Sequence, residues 1–339
     1  MNLHNKIRSL FTEKALNFND LSLEVFHYQS KNNKVYAKYL SLIGKSALLP
    51  QKLEEIPFMP ISFYKSHEVK SGDWTPELVF KSSGTNDMKI RSQHFVKDIN
   101  WYNEISLSIY QQIISRDDAE VMALLPTYFE NGNSSLVHMV QFFSDEMNQN
   151  GNHFYMDDFS TLQIEISKLV ESGRAVILFG VTFALLDFAK KCPIENEKLH
   201  VVFTGGMKNK RKDLQFSDIH QELKNAFPQS KIISEYGMTE LFSQAYSDEF
   251  GNYKPGQTMR VIPFQINDPL SQAPFGKTAQ LGIIDLANLD TLSFILTEDA
   301  GIVKEDNRFE VLGRLHQSDM RGCNLLYEDF VTHSDIKLE

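Results

Sequence analysis

Four strand-length apolar runs constrain this chain more than any other feature. They are Val121–Pro126, Ala175–Phe179, His200–Thr204 and Lys231–Ser234. The stretches around them read as helices, at 135–144, 160–172, 182–191 and 210–226. A parallel strand pair needs a long return path, so strands alternating with helices point to crossover units and an α/β fold. Three of the runs are apolar almost throughout, as strands covered on both faces are. The expected architecture is one large domain of parallel-rich sheets flanked by helices.

The ends of the chain have a different texture. Residues 3–18 and 20–45 read as two helices, with Asp20 available as a cap. Pro57 and Pro60 make Ile56–Ser62 a loop, Glu77–Lys81 reads as a strand, and 93–115 reads as a long helix. From about residue 255, short strands with Pro and Gly turns dominate: Arg260–Phe264, Ala279–Asp285, Ser293–Thr297 and Phe309–Leu312. They predict a smaller β-rich lobe.

With 42% hydrophobic residues and 12% aromatic residues, the chain can bury enough surface to offset its ordering entropy. Its net charge of −10 argues against a protein that grips nucleic acid by its phosphates. A local cradle can still bind a nucleotide. The two cysteines, Cys192 and Cys323, form neither a disulfide framework nor a zinc pattern. A reducing cytoplasm fits them. Met1–Leu10 lacks the apolar core of a signal peptide. The most apolar stretch, Ala175–Ala189, is too short to cross a bilayer and contains Asp187, so no membrane span is expected. The ten histidines show no metal-ligand spacing.

Ligands in open α/β sheets collect beyond the carboxyl ends of strands. Three strand ends here are rich in glycine and hydroxyls. In Lys81–Lys89 (KSSGTNDMK), small residues let backbone amides converge on an anion, and Lys89 can donate to phosphate oxygens. A plain surface turn is the alternative. Thr204-Gly205-Gly206 lets a flat group approach the backbone, or is simply a tight turn. In Glu235–Glu240 (EYGMTE), Tyr236 can stack on a base, Thr239 can bond phosphate and Glu240 can hold Mg²⁺. The alternative is a helix start with an acidic first turn. Further on, Asp299 can accept two sugar hydroxyls, and Arg314 ends a strand with a cation.

The ordered set SSGT, GG, YGMTE, TEDAG and GR resembles the adenylate-forming superfamily, whose members activate carboxylic acids with ATP. The closer resemblance is to the acyl-protein synthetase (LuxE) family, the ATP-dependent fatty-acid–protein ligases of bacterial aldehyde supply. Leu124–Tyr128, Ser134–Val137 and Met320–Cys323 add to it. The resemblance implies a phosphate loop at Ser82, Ser83, Gly84 and Thr85, and an adenine-side turn at Gly205 and Gly206. Tyr236 and Gly237 would flank the base, Thr239 would bond the α-phosphate and Glu240 would bind Mg²⁺. Asp299 would take the ribose hydroxyls, and Arg314 the ribose or phosphate. Gly180, Val181 and Phe183 would line an acyl pocket. Cys323 would receive the acyl group from the adenylate as a thioester, and Arg321 beside it would lower its pKa. The product would pass to an acyl-accepting reductase or a carrier protein. Cys192 is expected to be inert.

That chemistry is physically coherent. A carboxylate attacking an anionic α-phosphorus needs charge neutralisation and in-line positioning. It needs no general base, because an ordinary carboxylate is already ionised at neutral pH.

Several positions depart from the superfamily pattern. Asn86-Asp87 replaces the usual Thr-Gly, and Glu298 replaces a glycine. The hinge acid and lysine are not cleanly present in His316–Asp319. Only residues 315–339 follow Arg314, so the expected organisation is an adenylate-forming domain at 1–312 and a C-terminal remnant at 313–339, with the superfamily's second domain missing. Two other functions remain open. One is a ligase loading CoA or a carrier thiol, with Cys323 structural. The other is a non-catalytic nucleotide-binding or scaffold homologue, motivated by Asn86-Asp87 and Glu298.

Overall fold

The computed structural model describes residues 2–12, 17–82, 91–115, 118–126, 133–147, 154–205 and 215–315. Ser83, Gly84, Thr85, Lys89, Gly206 and Cys323 lie outside the described residues.

In chain order the N-terminal elements are α1 (Leu3–Ser9), α2 (Phe18–Asn32), α3 (Lys34–Leu42), β1 (Met59–Pro60), α4 (Phe63–Ser66), β2 (Leu78–Lys81), β3 (Gln93–Val96) and α5 (Ile99–Ile113). The alternating part follows as β4 (Ala119–Leu124), α6 (Ser135–Met147), β5 (Phe154–Tyr155), α7 (Phe159–Glu171), β6 (Ala175–Val181), α8 (Thr182–Lys191), β7 (Leu199–Thr204), α9 (Phe216–Ala226) and β8 (Lys231–Tyr236). Short strands complete the described chain: β9 (Ala245–Ser247), β10 (Tyr253–Pro255), β11 (Met259–Gln265), β12 (Asp268–Gln272), β13 (Thr278–Asp285), β14 (Phe294–Val303) and β15 (Phe309–Arg314).

Every residue of β4, β6 and β7 is buried, which is why these strands are apolar rather than alternating. Strands β5, β4, β6, β7 and β8 pair in parallel. From β9 onward the ladder turns antiparallel. Among the described residues both parts belong to one 13-stranded sheet, ordered β12-β11-β13-β14-β15-β10-β9-β8-β7-β6-β4-β5, with β1 on β14. The β-rich region after residue 255 is thus continuous with the parallel half through β9 and β10. Beside it, β2 and β3 form a separate two-stranded hairpin.

Several expectations need correction. Of the helix expected at 3–18, α1 covers Leu3–Ser9, and Asn17 is extended. In the loop expected at 56–62, Met59–Pro60 pairs with β14. The helix expected at 20–45 breaks at Asn33. Asn33 is fully buried and extended, and its side chain caps α3 by accepting from Tyr36 N at 2.9 Å. Its amide also donates to Thr291 O, so the break docks the helices on the sheet. Asn17, not Asp20, caps α2; Asp20 lies in the first turn, where the helix dipole favours it. The expected helix at 93–115 begins only at Ile99, after the Asp98 cap. Residues 93–96 instead alternate in burial and pair with β2, from Leu78↔Val96 to Lys81↔Gln93.

Beyond β8 the chain runs irregularly through 237–244 before β9, so no helix starts there. Among the described residues, no helix is long and apolar enough to cross a membrane.

Candidate active site

The motif residues meet where the sheet changes from parallel to antiparallel. Successive side chains on a strand face opposite sides, so Tyr236 and Glu235 at the end of β8 enter different environments.

On the Tyr236 side, β14 and β15 pair with Asp299 opposite Arg314. Tyr236 donates its hydroxyl proton to Asp299 Oδ2 at 3.0 Å. Its ring meets Phe309 edge-on at 5.2 Å and Tyr253 at 5.8 Å. Arg314 Nε stands 3.7 Å from Asp299 Oδ1, with the Arg314 side chain 71% exposed. Burial raises the Asp299 pKa, and Arg314 and the Tyr236 hydroxyl oppose that rise. Burial also holds the Tyr236 hydroxyl well above its usual range, so it stays a donor. Glu298, at the departed glycine position, faces Lys65 at 3.7 Å and Arg314 at 4.0 Å.

On the other side, the Glu235 carboxylate accepts a hydrogen bond from the Thr204 hydroxyl. Thr204 ends β7 in direct register with Glu235. Tyr246 pairs with Glu235 across the β8–β9 ladder. Burial pushes the Glu235 pKa from an ordinary 4.5 up to about 7, and the Thr204 bond opposes this. Gly237 leaves room for the same group, because a Cβ there would meet Glu235 Oε1 and force the carboxyl to shift. Gly205 follows Thr204 at φ +72°, a left-handed conformation that suits glycine. Its carbonyl accepts from the Thr182 hydroxyl at 2.9 Å, tying the end of β7 to the start of α8.

The expected acyl-pocket segment lies at the neighbouring strand end. Gly180 and Val181 are buried in β6, and Val181 pairs with Thr204. The space a Cβ at Gly180 would need is filled by Leu185 of α8. Phe183 is half-buried and packs on the core.

The hairpin supplies the third component. The residues flanking the expected phosphate-loop segment are joined by Ser82 N to Ser92 O and Ser92 N to Ser82 Oγ, each 3.1 Å. The Ser92 side chain is hydrogen-bonded to the Glu240 carboxyl. Burial raises the Glu240 pKa, and the Ser92 bond opposes it. Two residues on, His94 Nδ1 lies 2.8 Å from Thr239 O, and His94 Nε2 lies 3.0 Å from Thr291 Oγ1. Burial lowers the His94 pKa to about 4, so the ring is neutral at physiological pH. Asn288 Nδ2 donates to Glu240 O at 2.8 Å.

The structure therefore joins Tyr236, Asp299 and Arg314 directly, and it places Thr239 and Glu240 against β3, the strand that follows the expected phosphate-loop segment. Ser92, His94, Thr204 and Glu235 were not singled out from sequence. For the first two, the short strand at 93–96 was hidden by the apolar spacing of the helix behind it. Cys192 is buried, with its thiol 3.8 Å from Phe159 O. Burial raises its pKa, as suits an inert thiol. Among the described residues, no cluster of three or more His, Cys, Asp or Glu side chains could hold a metal alone.

Comparison with known proteins places this arrangement. The fold resembles 2-hydroxyisobutyryl-CoA ligase crystallised in an open conformation with 2-HIB-AMP and CoA. The TM-score is 0.64 at 12% identity, covering 87% of this chain and 69% of that one. It also resembles ATP-bound MatB from Rhodopseudomonas palustris, with a TM-score of 0.52 at 14% identity over 71% of this chain. Against MatB the match spans 49% of that protein's length. In sequence the chain is 25% identical to the long-chain-fatty-acid–luciferin-component ligase of Aliivibrio fischeri, over 89% of this chain and 85% of that protein. Residues 9–332 match the model of the family described as acyl-protein synthetase, LuxE. With nearly the whole chain covered by that match, the protein belongs to the acyl-protein synthetase (LuxE) family.

Proposed function

We propose that this chain activates a long-chain fatty acid with ATP, forms an acyl-adenylate, and transfers the acyl group to a thiol. The observation that carries the reading is the trio Tyr236, Asp299 and Arg314 beside a loop whose Glu240 is anchored to the phosphate-loop hairpin. Family membership supports the same chemistry, and the name of the Aliivibrio relative supports the acid class.

The donor set fits ATP. Asp299 Oδ1 is an acceptor suited to ribose hydroxyls, and the exposed Arg314 guanidinium suits an anion. Tyr236 stands beside them as the base-side ring. Thr239 would face the α-phosphate, and the backbone amides of 83–85 with Lys89 would hold the other phosphates. A single buried carboxylate with substrate phosphates is an ordinary way to hold Mg²⁺, and Glu240 is that carboxylate. Bound there, Mg²⁺ would screen phosphate charge. The attacking carboxylate needs no base, so the residues of this chain bind, orient and exclude water.

The acyl group then passes to Cys323, whose thiolate displaces AMP, and from there to a partner such as an acyl-accepting reductase or carrier protein, in a reducing cytoplasm. Residues 1–312 serve as the adenylating body, and the stretch from Gly313 carries the thiol. ATP–pyrophosphate exchange across a panel of fatty and aromatic acids tests the first step; no exchange with any acid refutes it. Cys323→Ser should keep exchange and lose covalent acyl labelling, whereas retained labelling moves the acceptor elsewhere.

A further inference from the structure

The hairpin β2–β3 stands outside the main sheet ladder, yet in the proposed reading it has to act together with the loop that follows β8. Something must fix one against the other. Ser92 and His94 lie two residues apart and face the same side of the hairpin's second strand and its approach. They engage two consecutive residues of the facing loop: Ser92 takes the Glu240 side chain and His94 takes the Thr239 carbonyl.

His94 makes the broader connection. A carbonyl oxygen only accepts, so the ring nitrogen facing Thr239 O is assigned the proton. Nε2 then accepts from the Thr291 hydroxyl, in the turn before β14. The ring stacks on Phe242 with centroids 4.6 Å apart and meets Tyr64 edge-on at 5.6 Å. One neutral, fully buried side chain thus touches the hairpin, the loop after β8 and the turn after β13.

We infer that His94 is a positioning residue for adenylation, holding Thr239 in place through its Nδ1–H and so setting the loop of Thr239 and Glu240 against the phosphate-loop hairpin. The inference rests on the functional reading given above, in which Thr239 bonds the α-phosphate. His94 does not contact substrate in this scheme. A shift of about 1 Å in a substrate-binding group can cost on the order of 10²-fold in rate, which sets the size of the expected effect.

Three substitutions separate this role from simple packing. His94→Asn keeps an N–H donor near the Nδ1 position. His94→Gln places its amide near the Nε2 position and loses the donor to Thr239. His94→Phe keeps the stack on Phe242 and loses both polar bonds. Each variant is assayed for ATP–pyrophosphate exchange, with kcat and KM for acid and ATP, and for covalent acyl labelling from supplied acyl-adenylate. The labelling step bypasses adenylation and reports a folded enzyme. The expected result is kcat for exchange within roughly threefold of wild type for Asn and lowered on the order of 10²-fold for Gln and Phe. KM for the acid and labelling from supplied adenylate should be little changed in all three. Equal exchange rates for Asn and Gln, or an unaffected Phe variant, overturn the positioning role. Loss of labelling in parallel with exchange overturns it too, since that marks a general packing defect. A wild type without exchange on any acid overturns the functional reading itself, and the positioning role with it.

Discussion

Glu235 and Tyr236 are adjacent in sequence and opposite in environment. On the Tyr236 face, a buried carboxylate, Asp299, has a phenol hydroxyl on one oxygen and an exposed guanidinium near the other. On the Glu235 face, burial dominates, and the Thr204 hydroxyl is the group that opposes it. Tyr102 and Tyr246 lie close enough for the Glu235 charge to raise their own pKa values. Both carboxyls are pushed upward by burial, and the Asp299 side opens toward an exposed cation, Arg314. The difference separates a polar ligand face from a closed interior face on a single strand end. A charged nucleotide suits the first. The second borders the strand ends of Gly180 and Val181.

The largest effect should come from the open face. Asp299→Ala should lower ATP–pyrophosphate exchange on the order of 10²–10³-fold, the scale of removing one well-placed polar group from a transition-state site. It also leaves the buried Tyr236 hydroxyl without its acceptor, a cost of about 1–3 kcal/mol in stability. Asp299→Asn preserves an acceptor for Tyr236, so it should recover stability while exchange stays low. Exchange equal to wild type in the Asn variant would detach Asp299 from ribose binding.

The closed face predicts a pH effect instead. The Glu235 pKa is higher in the folded than in the unfolded chain, so the folded state binds more protons between pH 4.5 and about 7. Stability therefore falls as pH rises through that window. Glu235→Gln has no proton to lose and can still accept from Thr204. Its advantage over wild type in chemical denaturation should grow from nearly nothing near about pH 4 to at most about 3 kcal/mol near about pH 8. A stability difference that does not change with pH would show that Glu235 is not held protonated by the fold.

This contrast was only half legible in the sequence. Tyr236, Asp299 and Arg314 sit in local motifs, and a motif survives without knowledge of the fold. The parallel strands were legible because strands buried on both faces are apolar along their length. Glu235 was quoted inside its motif and passed over, since its partner Thr204 lies on another strand and sequence does not fix that register. His94 was hidden for a second reason. Phe95, Val96 and Ile99 continue smoothly into the apolar spacing of α5, so a strand of four residues merged with the helix behind it. The joining of the parallel and antiparallel parts through β9 and β10 depends on strands of three residues each, too short to carry a period.

Gly237 sits on the boundary between the two faces and offers a smaller effect. Gly237→Ala drives a Cβ into Glu235 Oε1, the oxygen next to the Oε2 that accepts from Thr204. Overpacking of this kind costs roughly 1–3 kcal/mol, read as a lowered denaturation midpoint. Adding Glu235→Ala removes the obstructing group, so the double variant should lose less than the two single variants together. Additive losses would mean that the loop has another way to accommodate the methyl group.

Arg314 should show the smallest effect on stability, and for that reason it isolates ligand binding. Its guanidinium is 71% exposed and 3.7–4.0 Å from its carboxylate partners. Exposed pairs of this geometry contribute about 0–1 kcal/mol, and salt screens them. Arg314→Gln should therefore leave the denaturation midpoint nearly unchanged, the more so at high salt. If the exposed cation waits for ribose or phosphate, the same variant should raise KM for ATP by roughly tenfold, about 1.4 kcal/mol, with a smaller change in kcat. Unchanged KM for ATP would make Arg314 only a partner of Asp299 and Glu298. A stability loss matching that of Asp299→Ala would make the open face as structural as the closed one, and the division between the two sides of β8 would fail.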